Sequence, residues 1–343
     1  MTGYFIRRLL LIVPTFIGIT LVVFVIMHFV PGGPVERQIM RYKMAMTGEG
    51  GAGASSVAFS TEIPPEALAE LRRFYGFDKP VHIRYLLWLG NVLRLDLGKS
   101  YVYQDPVWDV IRSRFPISIF LGLTGFLLSY LVCVPLGVIK AVRHGSRFDF
   151  ASSAIVFLGY AIPGWALGTA LLVVFGGGSF LSVFPLGGFR PENWEYLSWW
   201  GKVTGQIHHM FLPVLCYMVG SFATETILVK NSMMESLGQD YVRTAFAKGL
   251  SERRVIFVHA LRNSLIPLVT GLGHVISLIL AGSFLIERVF NIDGMGYLGY
   301  QAILQRDYPV ALGILVIGSL LMLVGNILSD IIYAVVDPRI RFR

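Results

Sequence analysis

Four patterns in this 343-residue chain have residue types that could do chemistry. Gly98-Lys99-Ser100 reads like the end of a phosphate-binding loop, whose backbone N–H groups cradle phosphates while the lysine reaches them. Such a loop needs a glycine five residues before Gly98, and position 93 is Leu. Gly294-Met295-Gly296-Tyr297-Leu298-Gly299 matches G-x-G-x-x-G, but it follows an apolar run rather than a strand opening a βαβ unit, so a tight turn is expected there. His208 and His209 are adjacent rather than four apart; both rings cannot share a helical face, and no metal site is expected. Cys133 and Cys216 fall in apolar runs, where thiols are inert core residues. Ser, His and Asp assemble into no hydrolase motif. The chain is therefore read as no enzyme, with no metal or cofactor of its own.

Ionisable residues at membrane depth are the remaining candidates. Glu225 stands about one turn before Lys230 and is expected to pair with it or snorkel. Asp330 and Asp337, seven apart, share a face and are expected to pair helices or termini. His274 lies in an apolar run, as a packing residue would. So few acids at this depth argue against a proton relay.

The elements that must position these residues follow from composition. Hydrophobic residues make up 55%, charged residues 15%, and mean hydropathy is +0.65. A soluble domain carries about 25% charged residues. Two cysteines exclude a disulfide scaffold, and 24 Phe with 15 Tyr exclude disorder. Runs free of Asp, Glu, Lys and Arg extend over Leu9–Val35, Phe115–Ile139, Phe150–Phe189, Val203–Thr224, Asn263–Ile286 and Tyr308–Ser329. About 20 residues cross a hydrocarbon core of about 30 Å. Gly176-Gly177-Gly178 and Pro185 cut the third run after one span. The reading is an all-α polytopic membrane protein with six spans near 9–30, 116–138, 151–175, 209–229, 264–286 and 309–333. Pro135 and Pro163, with Gly159 and Gly164, predict bends in the second and third spans.

Basic residues orient the spans. The termini and the short segments after even-numbered spans hold 14 Lys and Arg; the short segments on the other side hold four, namely Arg190, Lys202, Arg288 and Arg306. Long loops are left out of such a count. Both termini are thus expected in the cytoplasm, with a large first loop outside. The net charge of +8 reflects topology, and no dense patch suggests nucleic acid. Arg7-Arg8 and the following apolar run imitate a secretory signal, but the run is too long, so an uncleaved first span is expected.

Four regions follow: a first span over 1–30, an external loop over 31–113, a five-span core over 114–335 and a cytoplasmic tail over 336–343. Within the loop, Met44 to Ser60 reads as a Gly-rich linker. Thr61, Pro64 and Pro65 open a helix carrying Leu68, Leu71, Phe74 and Tyr75, which Gly76 stops. A second helix, Val81 to Val92, carries Tyr85, Leu86, Leu89 and Val92 on one face. This small cap either covers helix ends or meets an external partner. The loop 231–262 is amphipathic. Met234 to Lys248 reads as a helix with Leu237, Tyr241, Thr244 and Ala245 on one side, Gly249 suits a left-handed terminus, and Ser251 starts a second helix. Such an element either lies flat on lipid or passes force from a soluble partner.

The run Asp240-Tyr241-Val242-Arg243-Thr244-Ala245-Phe246-Ala247-Lys248-Gly249-Leu250-Ser251, then His259-Ala260-Leu261-Arg262-Asn263 and Pro267, resembles the coupling-loop signature of bacterial ABC-importer permeases. The likeness covers nearly the whole chain. Arg7-Arg8-Leu9-Leu10 through Pro31-Gly32-Gly33-Pro34, Tyr75-Gly76-Phe77-Asp78-Lys79-Pro80, Asp96-Leu97-Gly98-Lys99-Ser100, Arg306-Asp307-Tyr308-Pro309-Val310 and Asp337-Pro338-Arg339 resemble dipeptide and oligopeptide permeases. Gly145-Ser146-Arg147-Phe148-Asp149 and Gly159-Tyr160-Ala161-Ile162-Pro163 bring it nearest to the microcin C and oligopeptide group. Two departures stand out: Phe246, where the family usually has Arg, and Glu225, unexpected at its depth.

The resemblance implies a type I ABC-importer permease architecture in the bacterial inner membrane, forming half of a path for peptides or peptide-like compounds. It implies a second homologous permease, two ABC ATPase domains that hold ATP and Mg, and an external substrate-binding protein. Tyr241, Val242, Arg243, Thr244, Ala245, Phe246, Ala247, Lys248, Gly249 and Leu250 would couple to the ATPases through a helix over 234–250. Tyr160, Trp165, Glu225 and His274 are candidates for the substrate path. The alternatives are a nickel or metal-chelate importer of the same type and an autonomous ion-coupled carrier; no mid-membrane charge network or inverted repeat favours the latter.

Overall fold

The computed structural model describes residues 2–29, 39, 65–74, 78–178, 180–270 and 282–336. The Gly-rich stretch 44–60, Pro31-Gly32-Gly33-Pro34, Tyr75-Gly76-Phe77, His274, Asp337 and the tail from 337 lie outside them. The described residues are almost wholly helical. Among the described residues, four helices are long and apolar enough to cross a membrane: Thr2–Phe29, Val107–Val142, Trp199–Leu237 and Tyr308–Val336. A fifth span is a bent pair, Arg147–Ala161 and Gly164–Phe175, with 94° between its arms. Pro163 explains the bend, since the residue before proline is pushed out of the helical region: Ile162 has φ −96° and ψ 117°. The expected fifth span, 264–286, is described only at its ends, by Ile266–Thr270 and Phe284–Val289.

Two helices overrun their expected bounds. The second was expected over 116–138 and runs over Val107–Val142; the fourth was expected over 209–229 and runs over Trp199–Leu237. At 1.5 Å per residue, 36 and 39 residues exceed the hydrocarbon thickness. Hydropathy marks where lipid stops, not where hydrogen bonding stops. Pro116, Pro135 and Pro213 lie inside these helices without ending them. The expected bend at Pro163 is therefore present, whereas Pro135 interrupts no helix.

The chain divides into two compact units. One comprises 1–12, 113–300 and 318–343. Its packing relies on close approach at glycines. A Cβ on Gly137 would come within 2.7 Å of Val229, and one on Gly164 within 2.9 Å of the Cys216 carbonyl. Small residues at helix crossings are how membrane helices gain packing without a hydrophobic drive. One core of this unit gathers Leu121, Met210, Cys216, Ile286, Phe290 and Ile292. Cys133 and Cys216 are both buried and free.

The second unit comprises 13–112 and 301–317. Its helices Pro65–Phe74 and Val81–Leu93 match the expected cap helices. Val81–Leu93 packs on Thr2–Phe29 through Phe24, Tyr85 and Trp88, with Phe24 5.5 Å from Tyr85 edge-on. The Tyr85 hydroxyl lies 3.0 Å from Thr20 Oγ1 and donates to the Ile17 carbonyl at 3.2 Å. Tyr85 and Val92 are buried as the period predicts, but Leu86 is 64% exposed. One residue on is 100° around the helix, and that step carries Leu86 off the buried face.

Candidate functional site

The segment after Trp199–Leu237 is where sequence and structure differ most usefully. The expected helix over 234–248 is two elements. Met234 to Leu237 finish the long helix, Gly238 caps it, and a separate helix runs Asp240–Ala247. Gln239 between them is extended, at φ −77° and ψ 151°. The short helix ends as Gly249 allows. Gly249 has φ +75°, its N–H donates to the Phe246 carbonyl at 2.9 Å, and the Leu250 N–H reaches back to the Ala245 carbonyl at 3.3 Å. This pair of bonds is a Schellman terminus. Ser251, expected to cap the next helix, is extended and makes no side-chain cap bond. The chain then continues through Glu252–Arg254, a π-helical turn at Val255–Ala260, and Leu261–Ser264.

Which residues face inward differs from the expected stripe. Val242 and Ala245 are buried, in one core with Val138, Ala141, Val229 and Met233, and Leu250 packs on it. Tyr241 and Thr244, expected on that side, are exposed. So are Arg243, Phe246, Ala247, Lys248 and Gly249. Phe246 is 46% exposed. A Cβ on Gly249 would meet nothing within 4 Å inside this chain.

Those same long helices carry a buried ion cluster around Asp149 that the sequence reading did not foresee. Lys140 is 1% exposed. Its Nζ donates to Ser153 Oγ at 2.7 Å, Ser152 Oγ at 2.9 Å and the Asp149 carbonyl at 3.1 Å, and lies 3.3 Å from Asp149 Oδ1. Lys230 Nζ reaches both Asp149 oxygens at 2.8 Å. His144 Nδ1 is 3.3 Å from Asp149 Oδ2, and the Gly145 N–H donates to the same oxygen at 3.2 Å. A signal was present in the sequence: Ser146-x-x-Asp149 is a capping-box spacing, and Ser146 Oγ accepts from the Asp149 N–H at 3.2 Å.

Lys230 therefore does not pair with Glu225. Five residues on a helix turn through about 140°, so the two side chains face apart. Glu225 instead accepts from Ser129 Oγ at 2.5 Å, with Cys133 Sγ at 3.6 Å, both on Val107–Val142. Asp330 pairs as expected with a terminus: Arg8 Nη1 lies 2.6 Å away. Tyr160 and Trp165 flank the 94° bend, and both are exposed.

The G-x-G-x-x-G stretch opens the helix Met295–Leu304 rather than forming only a turn. Its glycines make room for a buried carboxylate. Glu287 accepts from the Tyr297 N–H at 2.6 Å, the Ser283 N–H at 3.2 Å and the Tyr217 hydroxyl at 3.2 Å. A Cβ on Gly294 would lie 2.6 Å from that carboxylate.

Helices of membrane length, with a short helix locked on one face and open on the other after one of them, make this an integral membrane protein. The chain belongs to the family described as binding-protein-dependent transport system inner membrane component, which matches residues 133–342. It is a multi-pass protein of the inner membrane. It is 42% identical to the inner membrane ABC transporter permease protein YejB of Escherichia coli O157:H7, over 100% of this chain and 99% of that one. It is 39% identical to the peptidoglycan transport system permease protein YejB of Agrobacterium fabrum, over 100% and 99%. It is 35% identical to the oligopeptide transport system permease protein AppB of Bacillus subtilis, over the full length of both.

Proposed function

We propose that this chain forms half of the translocation path of an ABC importer for peptides or peptide-like compounds, driven by ATPase partners through residues 240–250. The carrying observation is the Asp240–Ala247 helix. Val242 and Ala245 bury it in a core shared with the two long helices and the Val255–Ala260 turn, while Tyr241, Arg243, Thr244, Phe246, Ala247, Lys248 and Gly249 face away. A helix fixed on one side and open on the other passes displacement from a partner to the helices behind it. The peptide assignment is supported by the names of the relatives, which transport dipeptides, oligopeptides or peptidoglycan. ATP and Mg belong on the ATPase partners. A second homologous permease completes the path, and an external binding protein delivers substrate. In this reading both termini and 231–262 are cytoplasmic, the 31–113 loop is external, and the region 114–335 is the permease core. Tyr160, Trp165, Glu225 and His274 contact the path, and Phe246 meets an apolar patch on the ATPase.

Gly249→Asp tests the coupling role. Its left-handed backbone makes any side chain costly, on the order of 1 kcal/mol. The carboxylate would also enter the face offered to the partner. We expect the variant chain to reach the membrane but to lose uptake of labelled peptide and capture of the ATPase subunits on a C-terminal tag. Normal uptake by a stably inserted variant overturns the coupling assignment. A wild-type chain that extracts alone overturns the half-path assignment.

A further inference from the structure

The second compact unit contains a cavity of about 500 Å³, within the 300–1,000 Å³ range of ligand sites. Its rim and its floor differ in chemistry. Among the described residues, Arg73, Lys79, Arg84 and Lys99 line it with a single acid, Asp96. The cap as a whole is nearly balanced: residues 65–112 hold seven Lys and Arg against six Asp and Glu, so the cavity concentrates the positive charge. Asp96 is turned onto its own loop, where Oδ1 accepts from the Gly98 N–H at 2.9 Å. The floor is apolar and belongs to the ends of two membrane-length helices, with Phe24 and Met27 from one, Pro309 and Leu312 from the other. Trp88 also lines it, its ring tilted against Phe24 at 5.6 Å.

The walls are held in place. Asp307, buried, accepts from Ser100 Oγ, from the Tyr101 N–H at 3.1 Å and from the Val102 N–H at 3.2 Å. Ser100 Oγ in turn accepts from the Tyr103 N–H at 2.8 Å. This knot fixes the loop carrying Lys99 to the start of Tyr308–Val336 and gives Gly98-Lys99-Ser100 a role. Leu87 lines the cavity, and beside it the cap helix exposes Leu86 and Leu93. Exposed leucines on an amphipathic helix are the mark of contact with a membrane interface. A cationic rim above an apolar floor between spans matches a phosphodiester headgroup with acyl chains below it. An acidic protein segment would use the rim and leave the floor unfilled.

We propose that this cavity is a specific site for an anionic phospholipid, with the headgroup phosphate held by Arg73, Lys79, Arg84 and Lys99. The proposal rests only on the chain lying in a membrane and is independent of the coupling reading. Its test is lipid retention, which needs neither uptake nor ATPase. The full chain, with whatever subunits copurify, is extracted, delipidated and titrated with phosphatidylglycerol, phosphatidylcholine or inorganic phosphate, with bound lipid read by native mass spectrometry. Phosphatidylglycerol is expected to bind over phosphatidylcholine. The exposed-residue variant Arg73→Gln/Lys79→Gln/Lys99→Gln is expected to lose that affinity by on the order of a hundredfold. Lys79→Arg/Lys99→Arg and Arg94→Gln, the latter on the cap but outside the cavity, are expected to keep it. Equal binding of the two lipids overturns the proposal, as does unchanged binding by the triple variant. Variant-sensitive binding of phosphate without binding of lipid makes it a free-anion site and overturns it. A triple variant that keeps the lipid but loses an external protein partner makes it a docking site and overturns it as well.

Discussion

On Val107–Val142 and Trp199–Leu237, neighbouring residues serve two different structures. Lys140 and Lys230 reach inward to Asp149, which has hydrogen bonds or ion pairs on both oxygens. Val138, Ala141, Val229 and Met233 support the Asp240–Ala247 helix, most of whose side chains face out. The ion cluster is satisfied within this chain. The short helix is satisfied on one face only. Damage to the first should therefore register as lost stability, and damage to the second as lost partner binding with the chain intact.

The largest effect is expected from Asp149→Ala. It would leave Lys140 and Lys230 without their carboxylate, and removing one partner of a buried pair costs about 3–5 kcal/mol. Thermal unfolding in detergent should show it, with uptake falling in proportion to surviving protein. A melting curve like wild type would mean that Asp149 is not structural.

On the other side of the comparison stands Phe246→Ala. Truncating a half-exposed side chain should change stability by less than about 0.5 kcal/mol. If Phe246 is an anchor on the ATPase, capture should weaken by about 2 kcal/mol, roughly thirtyfold. Loss of stability without loss of capture would place Phe246 in the structure rather than the interface. Gly249→Ala is smaller still. The added methyl meets open space, so only the left-handed backbone resists it, at about 1 kcal/mol. Gly249→Asp exceeding Gly249→Ala in lost capture would assign the excess to the partner face.

Much of this contrast was legible in the sequence. The spans follow from charge-free runs because water-soluble packing cannot hide them, and Gly249 was recognisable because a left-handed terminus favours glycine. Three kinds of error remained. Element bounds failed where a helix outran the hydrophobic run or broke at Gly238-Gln239, which polarity alone does not mark. Facing failed for Leu86, Tyr241 and Thr244, because a short helix has too few turns to define its buried stripe. Asp149 was missed for a different reason. Its partners lie on other helices, 9 and 81 residues away, and only tertiary packing brings them together. Lys230 shows the same limit from the other end: proximity in sequence suggested Glu225, and helical geometry excluded it.

The smallest prediction isolates the open face most cleanly. Arg243 Nη1 lies 3.5 Å from Asp240 Oδ1, but the side chains are 75% and 95% exposed. An exposed pair of this kind contributes about 0–1 kcal/mol, because water screens both charges and holding the side chains costs entropy. Arg243→Gln should therefore melt within about 0.5 kcal/mol of wild type at any ionic strength. Capture of the ATPase should fall modestly at low salt, and the difference should disappear as salt rises, since an interfacial charge at the rim acts through a screened field. A salt-independent loss would put Arg243 in a dry, central contact. A loss of stability would mean that the Asp240–Ala247 helix depends on its outward charges, and the division between a self-satisfied cluster and a partner-facing helix would no longer hold.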